Sequence, residues 1–335
     1  MATKPELKPV RWNAPARTTR ARERTGSEAV TVRRRIPLSG SGPEDVVVGQ
    51  DGALYTGVQD GRILAVDLES LAVQQVAKVE GRPLGLHALP DGRLLICDAY
   101  HGLLRLDPLT GHLETLLTEV DGDPLRCCSN VVATRDGTIF VSHSSRRFDL
   151  AHYKGDLMEH SGTGRLVRLA PGEKPEVLLD GLQFANGVAL SADESFVAVA
   201  ETGAYQVRRV HLTGSAAGSS DILADNLPGF PDNMSTGPGG IIWVAIAAPR
   251  DPLLDLLQRT PPILRRAVWR LPDRLQPDGK PTAWVLGLDE TGRTVHDLQR
   301  GDVGFGMVTG VCETDGRLYL GSLTEGALLD IESPA

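Results

Sequence analysis

With 335 residues, 41% of them hydrophobic, and 37 Gly and 22 Pro spread throughout, the chain can bury a large core made of many short elements joined by turns. Its net charge of −8 is uneven: residues 1–35 hold ten Lys/Arg against three Asp/Glu, about +7, which leaves about −15 on the remainder. The acidic body argues against a nucleic-acid binder, whose footprint is a basic face, and no apolar run of about 18 residues is present to span a membrane.

The first 38 residues read as a basic, flexible extension. They lack the apolar region of a secretory signal, since Arg33-Arg34-Arg35 leads only into the short Ile36-Pro37-Leu38. Without an export signal, Cys97, Cys127, Cys128 and Cys312 are expected to be free thiols of a cytoplasmic protein. They show no CxxC spacing and no His partner, so a structural role is expected.

From residue 39 to 335 one unit recurs six times: an apolar strand, a tight turn, a second apolar strand, a polar turn and a third strand. The first turns at Asp51-Gly52, the second at Asp91-Gly92, the third at Asp136-Gly137, the fourth at Asp193-Glu194, the fifth at Gly239-Gly240 and the sixth at Asp315-Gly316. Asp-Gly between apolar strands is the strongest short hairpin signal. Six hairpin units at intervals of roughly 40 residues or more indicate radial repetition, hence an all-β, six-bladed β-propeller. Two insertions interrupt it. Residues 144–163 lengthen the third blade, and residues 251–271 read as two short helices split by Pro261-Pro262. The second insertion is expected either to cap the propeller or to form a lid over one mouth of its channel.

Counting seven residues back from the first residue of each central turn gives Glu44, Leu84, Ser129, Asn186, Asp232 and Val308. Equivalent positions at the start of innermost strands form a ring around a propeller axis. The adjacent position adds Asp45, Asn130, Asn233 and Thr309. Two carboxylates in a confined channel repel unless a positive charge lies between them. A hard dication held by carboxylate, amide and water oxygens resolves this, and Ca²⁺ fits best by ligand type and tolerance of irregular geometry. No His or Cys falls on the ring, which disfavours Zn²⁺. The alternative, that Glu44, Asn186 and Asp232 each cap their own turn, is opposed by their shared offset.

Gly42-Pro43-Glu44, Asp60-Gly61-Arg62-Ile63, Arg82-Pro83-Leu84-Gly85-Leu86, Phe184-Ala185-Asn186-Gly187-Val188, Ala200-Glu201-Thr202, the stretch from Pro228 to Asn233 and Leu318-Tyr319-Leu320-Gly321-Ser322 resemble the strictosidine synthase-like proteins. These belong to the six-bladed superfamily that includes gluconolactonase/SMP-30 and paraoxonase, and the resemblance spans about residues 40 to 332. It implies that Glu44, Asn186 and Asp232 are metal ligands of the hydrolytic branch, with Asn233 beside them. The hydrolytic members carry Asn-Asp where this chain has Ser129-Asn130. The glutamate base of the alkaloid-forming synthases falls at Thr309, which cannot take a proton from an amine or carbon. Relatives show His where Gly306 stands and Asp where His143 stands.

The leading expectation is therefore Ca²⁺-dependent hydrolysis of an ester or lactone, with Asp232 or a metal-bound water as the attacking or proton-accepting group. His87 and His143 are further candidate bases, because His titrates near neutral pH. Ser129 is a weaker fourth ligand, and Asn130, Asn233, Thr309, Leu84, Val308, Tyr100 and Tyr153 are expected around a moderately apolar small-molecule pocket. A condensing or cyclising enzyme without metal catalysis is the second reading, and a binding propeller with a structural ion the third. No Gly-x-Ser-x-Gly elbow, P-loop or dinucleotide fingerprint supports another class.

Overall fold

In a computed structural model that describes residues 4–23, 26–272 and 281–334, the six repeats fold as six four-stranded antiparallel sheets. Each unit therefore has one strand more than the sequence pattern displays. The fourth strands, such as Val73–Lys78 and His112–Leu117, are largely exposed and polar, which hides them from an apolar-run search. The hairpin turns form as their residues dictate. Gly52, Gly92, Gly137 and Gly240 take positive φ, and Glu194 occupies the same slot at φ 58° in the fourth blade. The preceding Asp side chains accept from the backbone two residues on, as Asp91 does from Arg93 N at 3.0 Å and Asp136 from Thr138 N at 3.0 Å.

Second strands are buried on both faces, so they read as continuous apolar runs: Leu94–Asp98 and Phe196–Glu201 are buried throughout, as is Ala283–Leu288, the third strand of blade five. One hydrophobic cluster fills each of the six seams between neighbouring blades. Leu86, Ile96 and Leu104 meet Tyr55 and Ile63 between blades one and two, and Trp243, Val285 and Phe305 meet Val311 and Leu320 between five and six. The propeller is thus a closed ring of face-to-face sheet packings.

The expected flexible extension instead carries structure among its described residues; residues 1–3 and 24–25 lie outside them. Val32–Pro37 is the outer strand of blade six, paired antiparallel with Ala327–Glu332, so the two ends of the chain close the ring. Its alternation places Ile36 in the core and lets Arg34 Nε bind the fully buried Asp330 Oδ2 at 2.9 Å. Upstream, residues 4–22 run as a strap over the two insertions. Leu7 packs on Phe148, Met158 and Trp269, Val10 N donates to Glu159 O at 2.8 Å, and Arg20 pairs with Asp297.

The insertions are helical. Tyr153–Glu159 is α1, Pro252–Arg259 is α2 and Pro262–Trp269 is α3. Asp251 caps α2, accepting from Leu253 N at 2.7 Å and Leu254 N at 3.3 Å, and a proline opens both α2 and α3. Buried Arg265 of α3 ties the roof together, donating to Met158 O, Gln258 Oε1 and Val10 O at 2.9, 2.7 and 2.7 Å. Among the described residues no helix is long and apolar enough to cross a membrane.

Candidate functional site

Each inner strand from blade two to blade six carries a bulge near its start, for example between Pro83 and Leu86, Ala185 and Val188, and Pro231 and Met234. A bulge re-aims the side chains inside it. Here it turns the ring residues towards one mouth of the channel. Glu44, Leu84, Ser129, Asn186, Asp232 and Thr309 all line one cavity of about 310 Å³.

The ring of the sequence count is thus assembled, with one correction. Thr309, not Val308, is the sixth member. In the first five blades the turn begins five residues after the strand residue that resumes regular pairing, as from Val46 to Asp51 or Leu86 to Asp91. In blade six the interval from Val311 to Asp315 is four, because Thr314 pairs with Arg317 across a two-residue turn. Asp315 and Gly316 both have positive φ, 49° and 67°, as the tight hairpin turn requires. Counting back seven therefore lands one residue early, and Val308 lies in the core between blades five and six.

The position after the ring alternates between polar residues and glycine: Asp45, Gly85, Asn130, Gly187, Asn233, Gly310. The polar members lace the strands together beneath the cavity. Asp45 Oδ2 accepts from Leu86 N at 2.9 Å, Asn130 Oδ1 accepts from Val188 N at 2.8 Å, and Asn130 Nδ2 donates to Asp45 Oδ2 at 3.2 Å. The glycines permit this closeness: a Cβ on Gly187 would sit 2.3 Å from Asp232 O. Asn130 and Asn233 accordingly support the ring from below instead of lining the cavity.

The ring is also internally bonded. Ser129 Oγ donates to Asn186 Oδ1 at 2.9 Å, Asn186 Nδ2 donates to Thr202 Oγ1 at 3.1 Å, and Thr202 Oγ1 donates to Pro231 O at 2.6 Å. Asn233 Nδ2 donates to Glu44 Oε2 at 3.1 Å, and Thr309 Oγ1 donates to Glu44 O at 2.6 Å. Two buried carboxylates, Glu44 and Asp232, face this small space, and a third, Asp45, lies beneath it. Burial, then Asp232 and Asp45, holds the Glu44 carboxyl well above the usual range, opposed in part by the Arg82 guanidinium. Burial pushes Asp232 up to about 8 and Asp45 up to about 7. The site strongly favours added positive charge.

The two histidines stand apart from the cavity. His87 lies further along its strand, opposite Leu95, and burial lowers it to about 4. His143 is fully buried beside Cys128 and Arg165, and burial with the Arg165 charge lowers it to about 4. Tyr100 is half exposed and does not line the cavity.

Tyr153, expected at the pocket, lines the cavity, and residues not named for it complete the wall. Leu150, Tyr153 and Leu157 of the first insertion and Leu254, Leu257 and Val268 of the second form its roof, so the second insertion is a lid over this mouth. Phe184, Phe230 and Met307 add apolar wall, and Cys127 enters at φ 51°. Apart from Tyr153, and from Phe184, Thr202 and Phe230, which fall inside stretches that carry the family resemblance, only the folded chain places these side chains.

Comparison with known proteins places the chain. The strictosidine synthase model matches residues 130–215, and the strictosidine synthase-like N-terminal model matches residues 33–66. STRICTOSIDINE SYNTHASE-LIKE 10 of Arabidopsis thaliana is 34% identical over 318 residues, covering 86% of this chain and 84% of that protein. The chain belongs to the strictosidine synthase-like family. Adipocyte plasma membrane-associated protein of Mus musculus is 35% identical over 309 residues, covering 84% of this chain and 73% of that protein. In solved structures the fold is similar to a gluconolactonase from Xanthomonas campestris, with a TM-score of 0.66, 17% identity, and coverage of 97% of this chain and 99% of that one. A calcium-binding regucalcin from Agrobacterium tumefaciens gives a TM-score of 0.63 at 15% identity, covering 92% and 97%. At these identities the likeness is one of fold.

In this strictosidine synthase-like chain, no three His, Cys, Asp or Glu side chains among the described residues gather as a metal centre. The ring offers a different donor set: carboxylates from Glu44 and Asp232, the Asn186 amide and the Ser129 hydroxyl. Asn233 Oδ1 is buried beside them without a hydrogen-bond partner. An all-oxygen set with two repelling carboxylates fits a hard cation and no softer one.

Proposed function

We propose that the chain is a Ca²⁺-dependent hydrolase of esters or lactones. The observation that carries this reading is the convergence of Glu44, Asp232, Asn186 and Ser129 on the floor of an otherwise apolar, lidded cavity. Those four residues would hold the ion, which when bound supplies Lewis acidity to a substrate carbonyl oxygen. The calcium-binding and lactonase names of proteins with this fold support the reading.

The chain's own residues do the rest. Phe184, Phe230, Leu254 and Leu257 hold the apolar body of the substrate and exclude bulk water. Asp232 is the proton acceptor on the cavity floor. His87 and His143 lie elsewhere, and Thr309 Oγ1 is committed to Glu44 O. Water adds to the carbonyl carbon, its proton passes to Asp232, the acyl C–O bond breaks, and the proton leaves on the released alcohol. Asn186, fixed by Thr202, and Asn233, bonded to Glu44, keep the carboxylates in register.

The test is an aryl-ester and lactone panel run on protein purified without chelator, before and after EDTA, with metal analysis of the same sample. Bound calcium and chelator-sensitive turnover are expected. Turnover indifferent to EDTA, or product formed only from a two-component mixture, would sink the proposal in favour of a metal-free condensing enzyme.

A further inference from the structure

Large exposed apolar side chains are not scattered evenly over this molecule. Among the described residues nine stand out, and five of them fall on the lid: Leu253 at 47% exposure, Leu256 at 59%, Ile263 at 69%, Leu264 at 46% and Leu271 at 40%. Single exposed leucines need no explanation, but a contiguous group on two adjacent helices does. The lid helices are apolar on both sides. Leu254, Leu257 and Val268 face the cavity, while the five face outward. Val10 of the strap, 51% exposed, adds to the outer side.

The charge around this patch is mostly basic. From Pro252 to Pro272 the exposed charged residues are Arg259, Arg266 and Arg270. The single acid in that span, Asp255, is buried, bonded to Tyr205 Oη at 3.0 Å and to Arg250 Nη2 at 3.1 Å. Lys8 and Arg11 of the strap are exposed as well, against one exposed acid there, Glu6. The rest of the chain is strongly acidic, so this end of the propeller is a basic, apolar face on an acidic body.

We propose that the outer face of α2 and α3 docks peripherally on an anionic lipid surface. Leucine and isoleucine side chains set among arginines match the boundary between acyl chains and anionic headgroups: the apolar groups enter the former and the cations pair with the latter. The acidic body, repelled by the same surface, keeps the opposite mouth of the channel pointing away. Docking opens the roof of the cavity towards the lipid, so an apolar ligand reaches the ring without crossing water. This inference rests on the lid's outer surface and is independent of the reaction in the cavity.

The test is co-sedimentation of the full chain with phosphatidylcholine vesicles and with vesicles containing about 30% phosphatidylserine. The unaltered chain is expected to pellet with the anionic vesicles, and less as salt rises. Replacing two outward apolar groups by carboxylates, Leu256→Glu with Ile263→Glu, is expected to weaken binding by at least about tenfold. Leu109→Glu, at an isolated exposed leucine of blade two, serves as the control and is expected to bind like the unaltered chain. The proposal is overturned if no vesicle binds, if the double variant binds as well as the control, or if the two substitutions abolish a dimer of the free protein while vesicle binding is absent.

Discussion

Asp232→Asn separates the cost of the ring's charge from its use. In chelated protein, Asp232 keeps its proton up to about pH 8, whereas in the unfolded chain it loses it near the usual carboxylate value of 3.8. The folded pKa is raised, so folded protein binds the extra proton between those limits. Stability therefore falls as pH rises through that window and is greatest below it. At 1.36 kcal/mol per unit, the penalty reaches on the order of 4 kcal/mol by pH 7. Asn is nearly isosteric and carries no charge, so the metal-free variant escapes it. Urea unfolding in EDTA at about pH 5 and about pH 8 should show the unaltered chain losing stability with pH and the variant losing much less. Adding Ca²⁺ narrows the gap between the two proteins. At a hundredfold excess over Kd the unaltered chain gains about 2.7 kcal/mol, and the variant, with one carboxylate fewer, gains little. A metal-free variant that is the less stable protein at about pH 8, or that gains as much from Ca²⁺, would refute the reasoning.

Other consequences follow from the same geometry. Gly187→Ala places a methyl group 2.3 Å from Asp232 O and 2.5 Å from Met234 N, both backbone atoms that cannot yield, so calorimetry should show a loss of more than about 3 kcal/mol together with weaker Ca²⁺ binding. Arg265→Met leaves two buried acceptors and the partly buried Val10 O without their donor, and limited proteolysis should cut residues 251–271 several times faster while the blades stay intact. His87→Gln and His143→Gln should leave kcat within about threefold, because neither ring reaches the cavity; a loss of a hundredfold or more would return one of them to the mechanism.

The propeller was legible in the sequence because its signals are local. Asp-Gly turns and apolar second strands each declare themselves within ten residues, and their sixfold recurrence does the remainder. The ring was legible for a related reason, since equal hairpin lengths turn a fixed offset into a fixed place in space. That reasoning failed where the hairpin changed, at the two-residue Asp315-Gly316 turn, which exchanged Val308 for Thr309. What composition concealed was long-range. Arg33 to Arg35 look like a solvated run, yet Asp330 and Ile36's place in the core make this segment the closing strand of blade six. Nothing near Leu7 in the sequence announces Trp269, its partner on the lid. The histidines misled for the opposite reason: their chemistry is versatile, but the fold buries His143 completely and sets His87 well along the inner strand.

The central claim is that a cation held by Glu44, Asn186, Asp232 and Ser129 takes part in turnover. The most direct measurement titrates Ca²⁺ into chelator-stripped protein while following, in the same sample, heat of binding and hydrolysis of the best lactone or aryl ester. A single site per chain is expected, with activity that rises in proportion to its occupancy, both lost in Asp232→Asn. Saturation of the site with no change in activity would make the ion structural and contradict the claim, as would full activity with the site stripped.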